Sequence, residues 1–375
     1  LINGADQARP MIPTPMISQL DTFTVISACL VNHSSHSVRL TSCRDGCEIS
    51  VKIAASTLTV DHELANVTNK KRRIRDWNNM QLGVVFPQTE IGSDPIAVRD
   101  YAQTAEGLDC SHILAFDHVL GANRAGRPDF RGPYDLSSLF HEPFVLFGYL
   151  AGLTERIGLT TGIIIVAQRQ TVLVAKQAAA VDVLSGGRLR LGIGIGWNDV
   201  EFEALGENFR NRGKRSEEQV EVMRALWTQE TVTYDGRWHK ITDAGINPLP
   251  VQRPIPIIFG GMADAVMRRI AKIGDGWLPQ FEGFGSDGET TNEEGRALID
   301  RLGTYIRDAG REPKDVAIEG RIKLGDRTPE ACAREVEAWA DLGATEVTLN
   351  TMGAGLSSPK DHMDAIRRFM NALNN

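Results

Sequence analysis

The sequence predicts an α/β protein: a (β/α)8 TIM barrel with long loop insertions, preceded by an N-terminal extension expected to be disordered. Two observations carry this. Strand and helix signals alternate eight times from Met80 to the C-terminus, separated by short Gly, Pro or Asp punctuation. Closed on itself, such an alternation gives a barrel of ordinary size. The other arrangement open to it is a doubly wound open sheet, which the count of strands does not exclude.

The strand candidates are Leu82 to Phe86, His112 to Phe116, Ile157 to Val166, Arg188 to Ile193, Ile255 to Phe259, Trp277 to Pro279, Val316 to Ile322 and Glu346 to Leu349. Between them, Pro95 to Leu108 starts with Pro after Asp94, as helices do, and Thr171 to Leu184 is closed by Ser185-Gly186-Gly187. Ser216 to Trp227 places Val220, Met223 and Trp227 on one face. Two connections are long. Val119 to His141 follows the second strand and so belongs to the active face of a barrel. Thr231 to Pro254 contains VTYDGRWHKI, a hairpin with Asp-Gly at its turn, followed by a proline-rich run that cannot be helical.

The domain boundary falls at Met80: residues 1–79 form the extension and 80–375 the barrel. The first 79 residues hold only two of the 36 glycines but three of the five cysteines, with no sustained period of 2 or 3.6. They are expected to lie outside the fold, as an upstream segment carried along by an early start assignment rather than, the alternative, a regulatory or targeting extension. Phe23 to Ala28 followed by Cys29 imitates a short signal segment, but Asp21 at its start and Arg9 as the sole preceding cation weigh against export.

The chain is 42% hydrophobic and 24% charged, ordinary for a globular enzyme, and its formal charge of −7 without a basic stripe argues against a nucleic-acid partner. No apolar run reaches the roughly 18–20 residues that span a bilayer. Sparse cysteines in the barrel, Cys110 and Cys332, suit a cytoplasmic location.

Candidate chemistry lies at strand ends. Asp117-His118 closes the second strand, where a barrel presents catalytic groups and where imidazole suits proton transfer; a loop cap is the bland reading. No second His two residues away supports a metal pair, so no metal is expected. In LRLGIGIGW, Gly192, Gly194 and Gly196 strip one face of side chains, which would let a flat ring or a phosphate approach, or would simply allow tight packing. Gly260-Gly261, after the strand PIIF and before a helix, aims free N–H groups at an anion.

Taken in order, GVVFPQ, AFDHV, TTGIII, AKQAAAVDVLSGGRLRLGIGIGW, RGKRSEEQVEVMRALW, NPLPVQRPIPIIFGG and GDGWLP resemble the luciferase-like monooxygenase superfamily, and within it the coenzyme F420-dependent oxidoreductases of actinobacteria. The resemblance runs from Met80 to about Pro279. It implies an oxidoreductase whose deazaflavin lies over the strand ends, with hydride exchanged between its C5 and a small organic substrate. Asp117 and His118 match the pair facing the ring, Gly162-Ile163 a bulge with a cis peptide bracing it, Ile195, Gly196 and Trp197 the loop beside it, and Gly260 and Gly261 the phosphate cradle. FMN with oxygen, as in a monooxygenase, and a non-catalytic flavin-binding barrel are the alternatives. The sugar-phosphate dehydrogenases of the family carry a glutamate acid where this chain has Trp197, and a tryptophan where it has Ala122. A larger, less polar substrate walled by Trp197 is therefore expected, with Glu201 as an alternative acid. Arg124, Arg127 and Arg131 suit either an anionic coenzyme tail or a solvated loop. Members of the family are often dimers, and a homodimer is compatible with this sequence, although no feature of it selects an interface.

Overall fold

The computed structural model describes residues 80–281 and 293–374, together with the backbone of Ser37–Leu40 and Ile49–Lys52. Those two short strands pair antiparallel, Ser37 opposite Lys52, in a unit distinct from the barrel. Secondary structure at this point was not expected, since local sequence shows no period there; the remainder of the extension lies outside the described residues.

Eight parallel strands close a barrel: β1 (Gln81–Val85), β2 (His112–Ala115), β3 (Gly158–Thr161), β4 (Leu189–Gly194), β5 (Ile257–Gly260), β6 (Gly276–Leu278), β7 (Ala317–Lys323) and β8 (Glu346–Asn350). Each pairs with the next in sequence, β8 returns to β1 with Glu346 opposite Gln81, and β4 with β5 completes the circle, Gly192 facing Ile258. The open sheet is thereby excluded. All eight expected strands are present, because a strand covered on both faces reads as an apolar run.

The helices outside are α1 (Pro95–Gly107), α2 (Pro143–Ala151), α3 (Thr171–Ser185), α4 (Asp199–Ala204), α5 (Arg212–Thr228), α6 (Asp264–Ile273), α7 (Glu293–Asp308), α8 (Pro329–Ala333), α9 (Glu335–Asp341) and α10 (Pro359–Asn374). Local chemistry sets their ends. Asp94 caps α1 by accepting from the Ile96 N–H at 2.9 Å, and Gly186 ends α3 in the left-handed conformation at φ 71°. The main core lies between strands and helices, with Trp227, Tyr101 and Phe147 fully buried. A smaller cluster of Val85, Leu114, Phe116, Ile258 and Leu278 fills the barrel interior.

The expected hairpin forms from Val232–Asp235 and Lys240–Ala244, Asp235 opposite Lys240. Glu218 of α5 holds its turn: its carboxylate accepts from the N–H groups of Arg237, Trp238 and His239 at 2.8 to 2.9 Å. Burial would raise the Glu218 pKa, but these bonds more than reverse it and leave the group below its ordinary range. Its contribution to stability is thus present above the ordinary carboxylate pKa and is lost as pH falls through the lowered one. Glu218→Ala should cost roughly 1–3 kcal/mol and raise hydrogen exchange across the hairpin, while exchange in β1 stays unchanged.

Candidate active site

The C-terminal ends of the strands converge on one mouth. His118, just beyond β2, is ringed by Tyr134, Phe140 and Trp197, whose ring centroids lie 4.9, 4.8 and 5.7 Å from its own. Phe130 adds a further ring 6.1 Å from Trp197. Tyr134, Phe140 and Phe130 come from the long loop after β2, so that loop walls the site. It is held by Arg124, which bonds Asp135 at 2.5 Å and the Gly132 carbonyl at 2.8 Å.

Glu201 in α4 fixes the imidazole. One of its oxygens lies 2.9 Å from His118 Nδ1 and accepts from the Val119 N–H at 3.0 Å; the other accepts from Gln168 at 3.2 Å. Its side chain is 1% exposed. Burial pushes its pKa up, but the bonds from His118, Gln168 and Val119 prevail and hold it below the usual carboxylate range. An ionised Glu201 is an acceptor only, so Nδ1 carries the proton toward it and Nε2 is left for the mouth.

Asp117 is placed elsewhere. It is 3% exposed, and its carboxylate accepts from Arg169 at 2.7 Å and from the Ile165 N–H at 3.1 Å. Arg169 also bonds Glu142 at 3.0 Å, at the start of α2. Burial raises the Asp117 pKa against the opposing pull of Arg169. Asp117 thus ties the end of β2 to the segment after β3, whereas His118 turns to Glu201 and the aromatic rings.

That segment contains the cis peptide Gly162-Ile163. Ile163 packs against the interior cluster, as Phe140 and Met352 also do. The glycine pattern of β4 is explained by it: a Cβ on Gly194 would lie 2.2 Å from Ile163 Cδ1. The space stripped at Gly194 is therefore filled by Ile163 from the neighbouring strand, so this glycine seats the bulge. Gly260 gives the same side chain room, with a would-be Cβ 3.0 Å from Ile163 Cγ2.

Gly261 differs. Its φ of 110° disfavours any side chain, and nothing nearer than Val266 at 3.7 Å lies above its would-be Cβ. The following helix α6 has Ala263 at its N-cap position and hence no side-chain cap. Bare backbone and uncapped N–H groups fit the phosphate of a flavin or deazaflavin. Ile195, Gly196 and Trp197 lead from β4 past this region, Gly196 at φ 73° and Trp197 43% exposed beside His118.

Sequence reasoning named His118, Gly162, Ile163, Ile195, Gly196, Trp197, Gly260 and Gly261, and contacts through Ile163 and Phe140 bring them to one end of the barrel. It raised Glu201 as an acid but did not see it as the partner of His118; an acidic residue on a short helix gives no local signal of that. Arg124, Arg127 and Arg131 are all engaged locally, with Asp135, Glu203 and the carbonyls of Pro128 and Phe130. At the opposite end of the barrel, ligand atoms of His112, Glu319 and Glu346 gather within 4.8 Å, but Arg190 already supplies the positive charge that a metal ion would bring.

The sequence profile of the luciferase-like monooxygenase family matches residues 80–365, and the chain belongs to that family. A protein of Mycobacterium tuberculosis named only as uncharacterized is 31% identical over 278 residues, covering 72% of this chain and 90% of its own. The F420-dependent glucose-6-phosphate dehydrogenase of Intrasporangium calvum is 32% identical, covering 67% and 72%. Among solved structures, a riboflavin lyase crystallised with modified FMN and riboflavin shares the fold at a TM-score of 0.64 with 12% identity, covering 79% of this chain and 92% of the other. Relatives and structural neighbours include proteins named for F420 and one crystallised with modified FMN. No helix among the described residues is long and apolar enough to cross a membrane.

Proposed function

We propose that the chain is a coenzyme F420-dependent oxidoreductase acting on a small organic substrate. The observation that carries this reading is the buried Glu201 carboxylate orienting His118 beyond β2, with the bare Gly261 backbone and the uncapped start of α6 beyond β5 at the same end of the barrel. The 32% identity to a dehydrogenase named for F420 favours the deazaflavin over FMN. When bound, that coenzyme supplies hydride exchange at C5.

The chain's own residues do the rest. Gly261 and the uncapped start of α6 hold the phosphate, and the Gly162-Ile163 bulge supports the ring, braced from behind by Asp117 through the Ile165 N–H. His118 takes or returns at Nε2 the proton that accompanies the hydride, with Glu201 stabilising the imidazolium. Trp197, Phe130, Tyr134 and Phe140 exclude water and favour an apolar substrate. A cytoplasmic location belongs to the same reading, supported by the unpaired, buried Cys110 and Cys332.

Titration of the full chain with F420 and with FMN, followed by fluorescence, tests the coenzyme. Saturable F420 binding, weakened at least about tenfold by Gly261→Val, is expected. Tight FMN binding with none for F420 would replace this reading by the flavin monooxygenase one.

A further inference from the structure

We propose that Arg321 is the anion anchor of the substrate site, and that the substrate is an organic carboxylate with an apolar or aromatic body. The proposal rests on the enzymatic reading above in taking the mouth as the place where substrate binds. It begins with the alternation of β7. Gly320 faces outward, where a Cβ would strike the Trp339 ring at 2.2 Å, and Ile322 joins the outer core. Glu319 and Arg321 therefore point into the barrel.

The two inward charges have different fates. Glu319 is matched within the fold, by His112 at 3.0 Å and Arg190 at 3.0 Å. Arg321, one layer nearer the mouth, has no hydrogen bond or ion pair with any described residue; its guanidinium lies over the Phe116 ring, 5.0 Å from the centroid. It stands close enough to Tyr134 for each to bias the other's ionisation, and Tyr134 in turn touches His118.

Other enclosed arginines show how this fold treats a guanidinium. Arg169 meets Asp117 and Glu142, Arg269 meets Glu217, and Arg188 donates to the carbonyls of Ala151, Thr154 and Ile157. The Arg321 nitrogens keep some solvent contact and the Glu319 charge partly offsets the cost of burial, but no acceptor among the described residues meets their forked donors, unlike those of the other arginines. Its retention in a strand that faces the mouth points to a partner that arrives with a ligand.

The surroundings define that ligand. One half-buried guanidinium with planar, forked donors matches one carboxylate. A dianionic phosphate calls for more charge, and the next inward position, Lys323, is exposed at the strand's end. Phe116 and Tyr134 flank the cation, Phe140 packs on Tyr134, and the loop after β2 exposes Val119 at 43% and Leu136 at 70%, so the body of the acid meets apolar surface. With its carboxylate at Arg321, such a molecule spans Tyr134 toward His118.

The test uses the full chain, benzoate as the carboxylate probe, and benzamide and phenyl phosphate as its neutral and dianionic counterparts, with tryptophan fluorescence as the readout. Benzoate should bind saturably, and benzamide and phenyl phosphate more weakly. Arg321→Gln should weaken benzoate by about thirtyfold or more, with Arg321→Lys recovering part of it. F420 affinity should change less than about twofold in both variants, which also reports that they are folded. Equal binding of benzoate and benzamide, stronger binding of phenyl phosphate than of benzoate, or undiminished benzoate binding by Arg321→Gln each overturns the proposal. So does loss of F420 binding in folded Arg321→Gln with benzoate unaffected, which would assign the guanidinium to the coenzyme. If the parent chain binds no F420, the coenzyme reading fails, while the benzoate comparison still decides Arg321.

Discussion

His118→Ala is expected to lower turnover by about 10²–10⁴-fold, the ordinary worth of a positioned proton-transfer group, while leaving coenzyme affinity within a few-fold of the parent. The reasoning separates two tasks that the adjacent residues Asp117 and His118 perform. Asp117 is bound to Arg169 and the Ile165 N–H, so it acts on the bulge that supports the coenzyme. His118 bonds Glu201 through Nδ1 and otherwise contacts aromatic rings, so its second nitrogen is left for the substrate. Removing the imidazole leaves Glu201 its bonds from Gln168 and the Val119 N–H, which limits the structural damage. Measuring kcat for an accepted substrate alongside the dissociation constant of F420 separates these effects. Unchanged turnover would remove His118 from the mechanism. Because Glu201 is held below the ordinary carboxylate range, its hold on His118 persists as pH falls through that range and weakens only below it.

Much of the barrel was legible from sequence because its physics is local. HILAF and PIIF are short apolar runs bounded by turn residues, which suits buried strands, and Asp94-Pro95 carries its own helix-start signal. What could not be read depends on partners distant in sequence. Gly194 looked like space for a ligand, and the side chain entering that space is Ile163, about thirty residues earlier. Whether a stripped position stays open or seats a neighbour is decided by strand register, which local sequence does not state. Asp117 and His118 looked like a functional pair, yet the turn after β2 directs one into the wall and the other into the mouth. Arg321 had a usable signal that went unread: in AIEGRIK the charges Glu319 and Arg321 alternate with Gly320 and Ile322, the reverse of what a polar outer face produces once helices cover that face.

Arg190→Met is expected to destabilise the fold by about 3–5 kcal/mol, because it strips the counter-ion from carboxylates enclosed at the floor of the barrel. Glu319 is 1% exposed; it lies 3.0 Å from Arg190 and 3.0 Å from His112, and also accepts from the Thr348 hydroxyl. Glu346 pairs with the same guanidinium. Burial pushes both carboxyls up; His112 and Arg190 overcome it for Glu319, which sits well below the ordinary range, but not for Glu346, which stays above it. In the parent, Glu319 therefore adds stability at every pH above its ordinary value, lost only as pH falls through the lowered one. Without Arg190 the already raised Glu346 titrates further upward, and a carboxyl raised by folding favours the native state on the acid side and loses that advantage as pH rises. The stability gap between variant and parent should accordingly narrow from pH 7 to pH 5 in denaturant titrations. Adding Glu319→Gln and Glu346→Gln to Arg190→Met should recover much of the loss, since removing every charge avoids the unpaired ones. A cost under about 1 kcal/mol with no pH dependence would show that water, not Arg190, compensates these carboxylates. The network lies at the strands' N-terminal ends and His118 beyond their C-terminal ends, so turnover per folded molecule should be unchanged in Arg190→Met, which separates this effect from that of His118→Ala.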